Sequence, residues 1–475
     1  MWGIELDRAS EQPLKRQIYQ KLKERIMSGQ IKSNDALPST RELSQFLGVS
    51  RNTVGESYDM LIAEGFVISR QGAPTRVADG LSITKTYTAP FVNALPKQEL
   101  KADFRTGRPD LRQFPQFLWR QLLHKASEEL PLALYGYTGP QGLPALRTEI
   151  SEWLLRSRGV TVSSDDIFIT AGATHALHLL ADLLCENGKK VLMEDPCHSG
   201  MLQTFILKGC PVVPVPVDSQ GMQTQGLPDG KDACAVYVTP SHQFPLGGIL
   251  PASRRAALIR FARENDLYII EDDYDSEFRY CGEPIAPLYT MDPQLVIYVG
   301  TFSKTLFPAL RIGYVILPKP LHRQWSVLRT HTDVQNPPFE QAALADFLRM
   351  RKLDRHVQKM RRIYGHRRQV LMEALEDSFG SGWTAYGDAA GLHLAIDFPG
   401  KCFAETFQES CLQNGIYIKS VENHCMEKGR HQSKLLMGYG HLEPEEIRNG
   451  ILILHDYLEA AAAHASRAGD DTKSI

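Results

Sequence analysis

Leu14, Ile18, Leu22 and Ile26 fall on one helical stripe, which predicts a helix from about Pro13 to Gly29, where the glycine ends it. Ser39 stands three positions before Glu42, a capping box opening a helix over about Thr40–Leu47 that stops at Gly48. Ser50 caps the next helix, whose apolar face is read as Val54, Tyr58, Leu61 and Ile62. Two short helices joined by a tight Leu-Gly-Val turn predict a helix-turn-helix. After Gly65 the sequence FVISRQGAPTRVAD alternates and turns at Gly72-Ala73-Pro74, as a two-stranded wing does. Residues 79–101 keep no period and carry two prolines, which predicts a linker.

From about Ala102 the pattern changes to short apolar, β-rich runs alternating with helical stretches. The runs are Ile167–Thr170, Val191–Glu194, Ala235–Thr239, Leu267–Asp272, Leu295–Gly300 and Tyr314–Leu317. Such alternation predicts an α/β unit with a mainly parallel sheet and helices on both faces. A helical stretch over about Phe339–Phe379, followed by GLHLAIDF and KLLMGYGHL, predicts a smaller α+β lobe. The domains expected are therefore 1–78, a linker at 79–101, a large unit at 102–460, and an alanine-rich, then polar tail at 461–475 that frays.

Composition adds exclusions. A chain of 475 residues is long for one ordinary domain. It has no apolar run long enough to span a bilayer, and its N-terminus is not that of a signal peptide. The eight cysteines are scattered with no CxxC pair, which points to reduced thiols in a cytoplasmic protein rather than a zinc site or disulfide framework. A net charge of −2 gives no global mark of nucleic-acid binding. The local pattern does: Arg51, Asn52 and Thr53 open the second helix of the motif, where they would reach bases or phosphates in a major groove. Arg41 and the wing's Arg70 would hold the DNA backbone.

Four constellations lie at strand ends in the large unit. In ITAGAT a strand gives way to a helix opening at Ala173, whose free N–H groups suit an anion, with the Thr174 hydroxyl beside them. In EDPCHSG, His198 can lay a flat ring on a flat ligand. In YIIEDDYDSEF an apolar strand runs into Glu271, Asp272 and Asp273, and buried carboxylates need a partner. A pyridinium nitrogen is one such partner. A metal is the rival, but no histidine stands at ligand spacing, and no metal is expected. In TFSKTLFPALR, Lys304 can form a Schiff base, while Arg311, Thr301 and Ser303 can hold a phosphate. Aldehyde trap, pyridinium partner, stacking ring and phosphate cup together describe pyridoxal 5′-phosphate (PLP).

Residues Gln12–Ala78, with PSTRELSQFLGVSRNTV at their centre, resemble the winged helix of GntR-family bacterial regulators. Residues Phe104–Leu458, through YGYTGPQGLPALR, EDDYDSEF and SKTLFPALR, resemble a fold-type I aminotransferase domain. The fusion resembles the MocR subgroup, as do FRTGRPDLRQFP and TPSHQFPLG. The resemblance implies Lys304 as the Schiff-base lysine, Asp272 on the pyridine nitrogen, Tyr274 near the cofactor's O3′ and His198 as the stacking ring. It implies a phosphate cup of Ala173, Thr174, Thr301, Ser303 and Arg311, with Tyr137 reaching a partner's phosphate. It also implies a homodimer of swapped arrangement, operator DNA as partner, and PLP or a small amine or amino acid as effector.

Departures from the pattern shape the functional expectation. Phe244 stands where aminotransferases carry an asparagine on O3′, so that contact is lost or passes to His242 or Gln243. Gly200 and Asn423 align with arginines that grip an effector's carboxylate in amino-acid-sensing members, and Arg430 and Lys434 are nearby substitutes. The expectation is a PLP-dependent transcription regulator with at most residual transamination. The alternatives are a working aminotransferase with an accessory DNA-binding domain and a PLP-free scaffold.

Overall fold

The computed structural model describes residues 4–70, 72–80, 100–185, 188–283, 285–387, 389–403 and 406–470. Most of the expected linker, and the last five residues of the expected tail, lie outside the described residues. The chain divides into two compact units, Met1–Pro96 and Lys97–Ile475.

In the first unit α1 (Leu14–Met27), α2 (Thr40–Leu47) and α3 (Arg51–Ala63) precede a wing of β1 (Val67–Ile68) and β2 (Arg76–Val77), paired antiparallel. Both arms of the Ser39–Glu42 capping box are present, and Gly48 closes α2 in the left-handed region at φ 62°. That conformation is cheap only for glycine, so the turn between the two helices is written into the sequence. Ile18, Leu22, Ile26, Leu43, Val54, Tyr58 and Leu61 form the core. Ile62 does not join them: it is 39% exposed, one position past the buried stripe.

The second unit starts with β3 (Ala102–Asp103), α4 (Gln116–Glu129) and α5 (Pro144–Arg158). Its main sheet then takes β4 (Ile167–Thr170), β5 (Lys190–Asp195), β6 (Val212–Asp218), β7 (Gly221–Met222), β8 (Ala233–Val238), β9 (Tyr268–Asp273), β10 (Val296–Thr301) and β11 (Gly313–Ile316). The eight strands are ordered β4-β11-β10-β9-β8-β5-β6-β7. The central pairs from β10 to β6 are parallel, whereas β11 runs antiparallel to both β10 and β4, and β7 antiparallel to β6. The sheet is thus mixed, with a parallel middle. β6 escapes the sequence reading because Pro214 and Pro216 interrupt it. They share one parity, so their missing donors fall along one side of a strand that β7 covers only at Val217 and Asp218.

Connecting helices α6 (Ala173–Leu184), α7 (Ser199–Leu207), α8 (Ala252–Glu264) and α9 (His322–Thr332) flank the sheet, each face of which has its own apolar cluster. The expected helix at 339–379 is two helices, Pro338–Arg349 and Lys352–Phe379, because Arg351 turns left-handed at φ 54°. A second sheet of four antiparallel strands contains His393–Asp397 and Lys434–Gly438. The final helix runs from Pro444 to Asp470, so residues 461–470 of the expected fraying tail are helical.

Candidate functional site

The parallel strands deliver their C-terminal ends to one cavity of about 230 Å³. Three successive carboxylates at the end of β9 show how a strand sorts side chains. Glu271 accepts the N–H groups of Leu288 (2.8 Å) and Tyr289 (2.7 Å), and so anchors the chain that leads into β10. Asp273 accepts from Arg158 (2.7 Å) and from the Tyr298 hydroxyl (2.6 Å). Asp272, of opposite parity, faces the cavity. The three carboxylates therefore serve three separate purposes and do not converge on one ion.

Asp272 Oδ2 accepts the Tyr237 hydroxyl at 2.7 Å, and Oδ1 has no hydrogen-bond partner among the described residues. Burial pushes the carboxyl up to about 6, against the hydrogen bond from Tyr237. A buried acceptor with one unused oxygen on a cavity wall fits a protonated ring nitrogen, whose charge would hold the carboxylate ionised.

Lys304 follows β10 and donates from Nζ to Gly107 O at 2.8 Å. Desolvation holds its amine below the ordinary lysine range, with Asp275 and Asp272 pulling the other way. A larger fraction of neutral amine is what condensation with an aldehyde requires. A Cβ at Gly107 would lie 2.7 Å from Nζ, so a side chain there would push the end of Lys304 aside.

The anion cradle is built on the β4–α6 turn. Gly172 takes φ 91° as the N-cap of α6, and a Cβ there would meet the Arg311 guanidinium at 3.2 Å. Arg311 donates to Ala171 O across that turn. Thr301 and Ser303 are bonded to each other at 3.0 Å. With Ala173 and Thr174 these side chains line the cavity beside the free N–H groups of the first helical turn, an arrangement that suits phosphate.

His198 lines the same cavity and is exposed, its ring 5.1 Å from that of Phe244. Phe244 also packs on His393 (5.1 Å) and His424 (5.1 Å). Burial holds His393 and His424 below the usual histidine range, so this wall is neutral and aromatic at neutral pH. His242 and Gln243 do not line the cavity. Gln243 spends its amide on Pro196 O and Phe244 O. His242 Nδ1 lies 3.0 Å from Asp275 and 3.1 Å from the Tyr274 hydroxyl. A tautomer with hydrogen on Nδ1 donates to the Asp275 carboxylate and cannot accept from Tyr274, which leaves that phenolic hydrogen for the cavity.

All nine of the expected single-chain contacts line this cavity: Lys304, Asp272, Tyr274, His198, Ala173, Thr174, Thr301, Ser303 and Arg311. Tyr137 does not; it is 90% exposed. Arg430 pairs with Glu427 and Lys434 with Asp397, and neither lines the cavity. The sequence reading missed Glu194, Tyr237, Thr239 and His393. Glu194 Oε2 accepts both the N–H (3.0 Å) and hydroxyl (2.6 Å) of Thr239, while burial pushes the carboxyl up to about 7 against those bonds. The acidic end of an apolar strand, the signal that marked Asp272, is present at Glu194 too.

In the first unit Arg41, Arg51, Asn52 and Arg70 are exposed. Arg51 Nε donates to Thr40 Oγ1 at 3.1 Å, which ties the start of α3 to that of α2. The Thr53 hydroxyl is 2.7 Å from Ser50 Oγ, within the cap of α3.

The wing and the strand-end cavity define a fusion of a regulator's DNA-binding module with an aminotransferase scaffold. Residues 14–77 match the gntR family of bacterial regulatory proteins, and residues 115–433 match aminotransferase class I and II. The chain is 33% identical to the probable rhizopine catabolism regulatory protein MocR of Rhizobium meliloti, over 94% of each chain. It is 34% identical to the pyridoxine biosynthesis transcriptional regulator PdxR of Corynebacterium glutamicum, over 76% of this chain and 78% of that one. The kynurenine aminotransferase of Pyrococcus horikoshii superposes with a TM-score of 0.71 at 26% identity, covering 77% of this chain and 92% of the enzyme. The chain belongs to the MocR group of GntR-family regulators and carries an aminotransferase class I and II domain. That membership implies pyridoxal 5′-phosphate as cofactor, and the unused oxygen of Asp272, the desolvated Lys304 and the cradle around Gly172 fit it.

Proposed function

We propose that this protein is a cytoplasmic transcription regulator whose winged helix binds an operator and whose large unit senses PLP or a small amine. The carrying observation is a cavity equipped to hold a cofactor in which, among the described lining residues, no further arginine or lysine remains for an amino acid's carboxylate. Bound PLP supplies an aldehyde and an electron-withdrawing ring. Lys304 would hold the aldehyde end, Asp272 the ring nitrogen, and Thr174, Ser303 and Arg311 the phosphate. Phe244 occupies the place of the asparagine that contacts O3′ in aminotransferases. Among the described residues lining the cavity, the only basic side chains apart from the histidines are Lys304 and Arg311, both assigned to the cofactor. An amino-acid carboxylate thus finds no further arginine or lysine on that wall. This favours the cofactor itself, or an amine without a carboxylate, as effector.

DNA recognition is assigned to Arg51, Asn52 and Thr53 in the groove, with Arg41 and Arg70 on the backbone. An operator of two half-sites needs two recognition helices, so the active form is a homodimer. Exposed Tyr137 would reach the partner's phosphate, and each winged helix would lie on the partner's large unit. The test is a gel-shift titration of the chain's own upstream DNA with and without PLP, at fixed salt. Sequence-specific binding that changes with PLP supports the reading, and its absence in both states refutes it. Steady turnover of an amino donor with a keto acid would favour an enzyme instead.

A further inference from the structure

Cys185 and Cys234 are separated by 49 positions, yet their sulfurs lie 3.5 Å apart in the fold. Cys185 caps the C-terminal end of α6 and is half-exposed, whereas Cys234 is the second residue of β8 and is buried. Cys234 Sγ also lies 3.3 Å from Lys190 O. Buried Cys210 brings a third thiol against Cys185. Cys281 and Cys402 are exposed and neither lies in this cluster.

We propose that Cys185 and Cys234 form an oxidation site that takes hydrogen peroxide and closes to an intramolecular disulfide. Three observations support it: the near-contact of the sulfurs, the access of solvent to only one of them, and the hydrogen bond between the two thiols. That bond holds the Cys234 thiol below its ordinary range and pushes the Cys185 thiol up, so access to solvent, and not acidity, selects Cys185 for the first step. Peroxide oxidises Cys185 Sγ: the O–O bond breaks, a sulfenic acid forms and one water leaves. Cys234 Sγ then attacks that sulfur, the S–O bond breaks, and the hydroxyl departs as a second water with the remaining thiol proton. Two thiols and one peroxide give one disulfide and two waters. The link ties the end of α6 to the start of β8. The opposite ends of these elements carry Ala173 and Thr174 to the anion cradle and Tyr237 to Asp272. The site does not depend on the cofactor assignment.

The test uses the full-length, reduced protein treated with hydrogen peroxide, then alkylated, digested and weighed. The expected result is loss of two of the eight alkylatable thiols, a peptide pair joined through Cys185 and Cys234, and full recovery with dithiothreitol. The pair should vanish in both Cys185→Ser and Cys234→Ser and persist in Cys281→Ser. A link from Cys185 to Cys210, or oxidation of Cys281 and Cys402 with Cys185 and Cys234 still alkylatable, would overturn the proposal.

Discussion

Tyr237 donates its phenolic hydrogen to Asp272 Oδ2 across neighbouring strands, and in doing so turns the other oxygen of that carboxylate, without a partner among the described residues, into the cavity. The pair acts as one device: β8 orients the acid that β9 supplies. Asp272→Ala removes a charge-assisted contact of about 1.5–3 kcal/mol, so PLP affinity should fall roughly 10- to 100-fold. Tyr237→Phe removes only the orienting bond, and about 1 kcal/mol predicts a loss of about fivefold. Absorbance titration of the cofactor-free protein measures both, and equal losses would contradict the division of roles.

Lys304→Ala should abolish the long-wavelength absorption band that PLP acquires on the protein, while phosphate contacts retain weaker binding. A visible spectrum unchanged by the substitution would remove Lys304 from the site.

Gly172→Ala places a methyl against Arg311 and forces an alanine to φ 91°. Strain of about 1–3 kcal/mol should lower the melting temperature and weaken PLP and inorganic phosphate together. Weakened PLP with unchanged phosphate binding would place the anion cradle elsewhere.

Glu194 and Asp272 carry pKa values of about 7 and about 6, raised from 4.5 and 3.8. Between the ordinary and raised values the folded chain keeps protons that the unfolded chain has lost. Their contribution is complete below the ordinary values and is lost as pH rises to about 7. Lys304, lowered instead, makes the unfolded chain the better proton binder below 10.5, so its contribution grows as pH rises towards that value. Glu194→Gln should therefore reduce the decline in stability of the cofactor-free protein between about pH 5 and 8 by about 2–3 kcal/mol. Urea denaturation at the two pH values reads this directly, and a wild-type slope in the variant would refute it.

Ser39→Ala removes the α2 cap and should cost the first unit about 1 kcal/mol, measured by its unfolding. Arg51→Ala should weaken operator binding and reduce the salt dependence by about one counterion if the contact is to phosphate. If it reads a base instead, discrimination at one position falls by about 1–3 kcal/mol with the salt slope unchanged. Unaltered affinity and slope would place α3 outside the groove.

Local physics made much of this protein readable from its sequence. Caps at Ser39 and Ser50, a left-handed glycine at Gly48 and helical stripes depend on neighbours within a few positions, so the winged helix is visible in one dimension. The apolar strands ending in Asp272 and Thr301 are equally local signals, and they marked side chains that line the cavity. Where the signal is ambiguous the sequence misleads: Pro214 and Pro216 hide β6, and Ile62 lies one position beyond the buried stripe. The family resemblance named Asp272 among three consecutive acids, but only the tertiary structure supplied the reason, because alternation separates Asp272 from its neighbours without saying which face is hollow. Tertiary structure alone joined Glu194 to Thr239, Tyr237 to Asp272 and Cys185 to Cys234. Those pairs meet through sheet order, and sheet order arises from burying both faces of β8 and β9 at once, a condition that no short window of sequence contains.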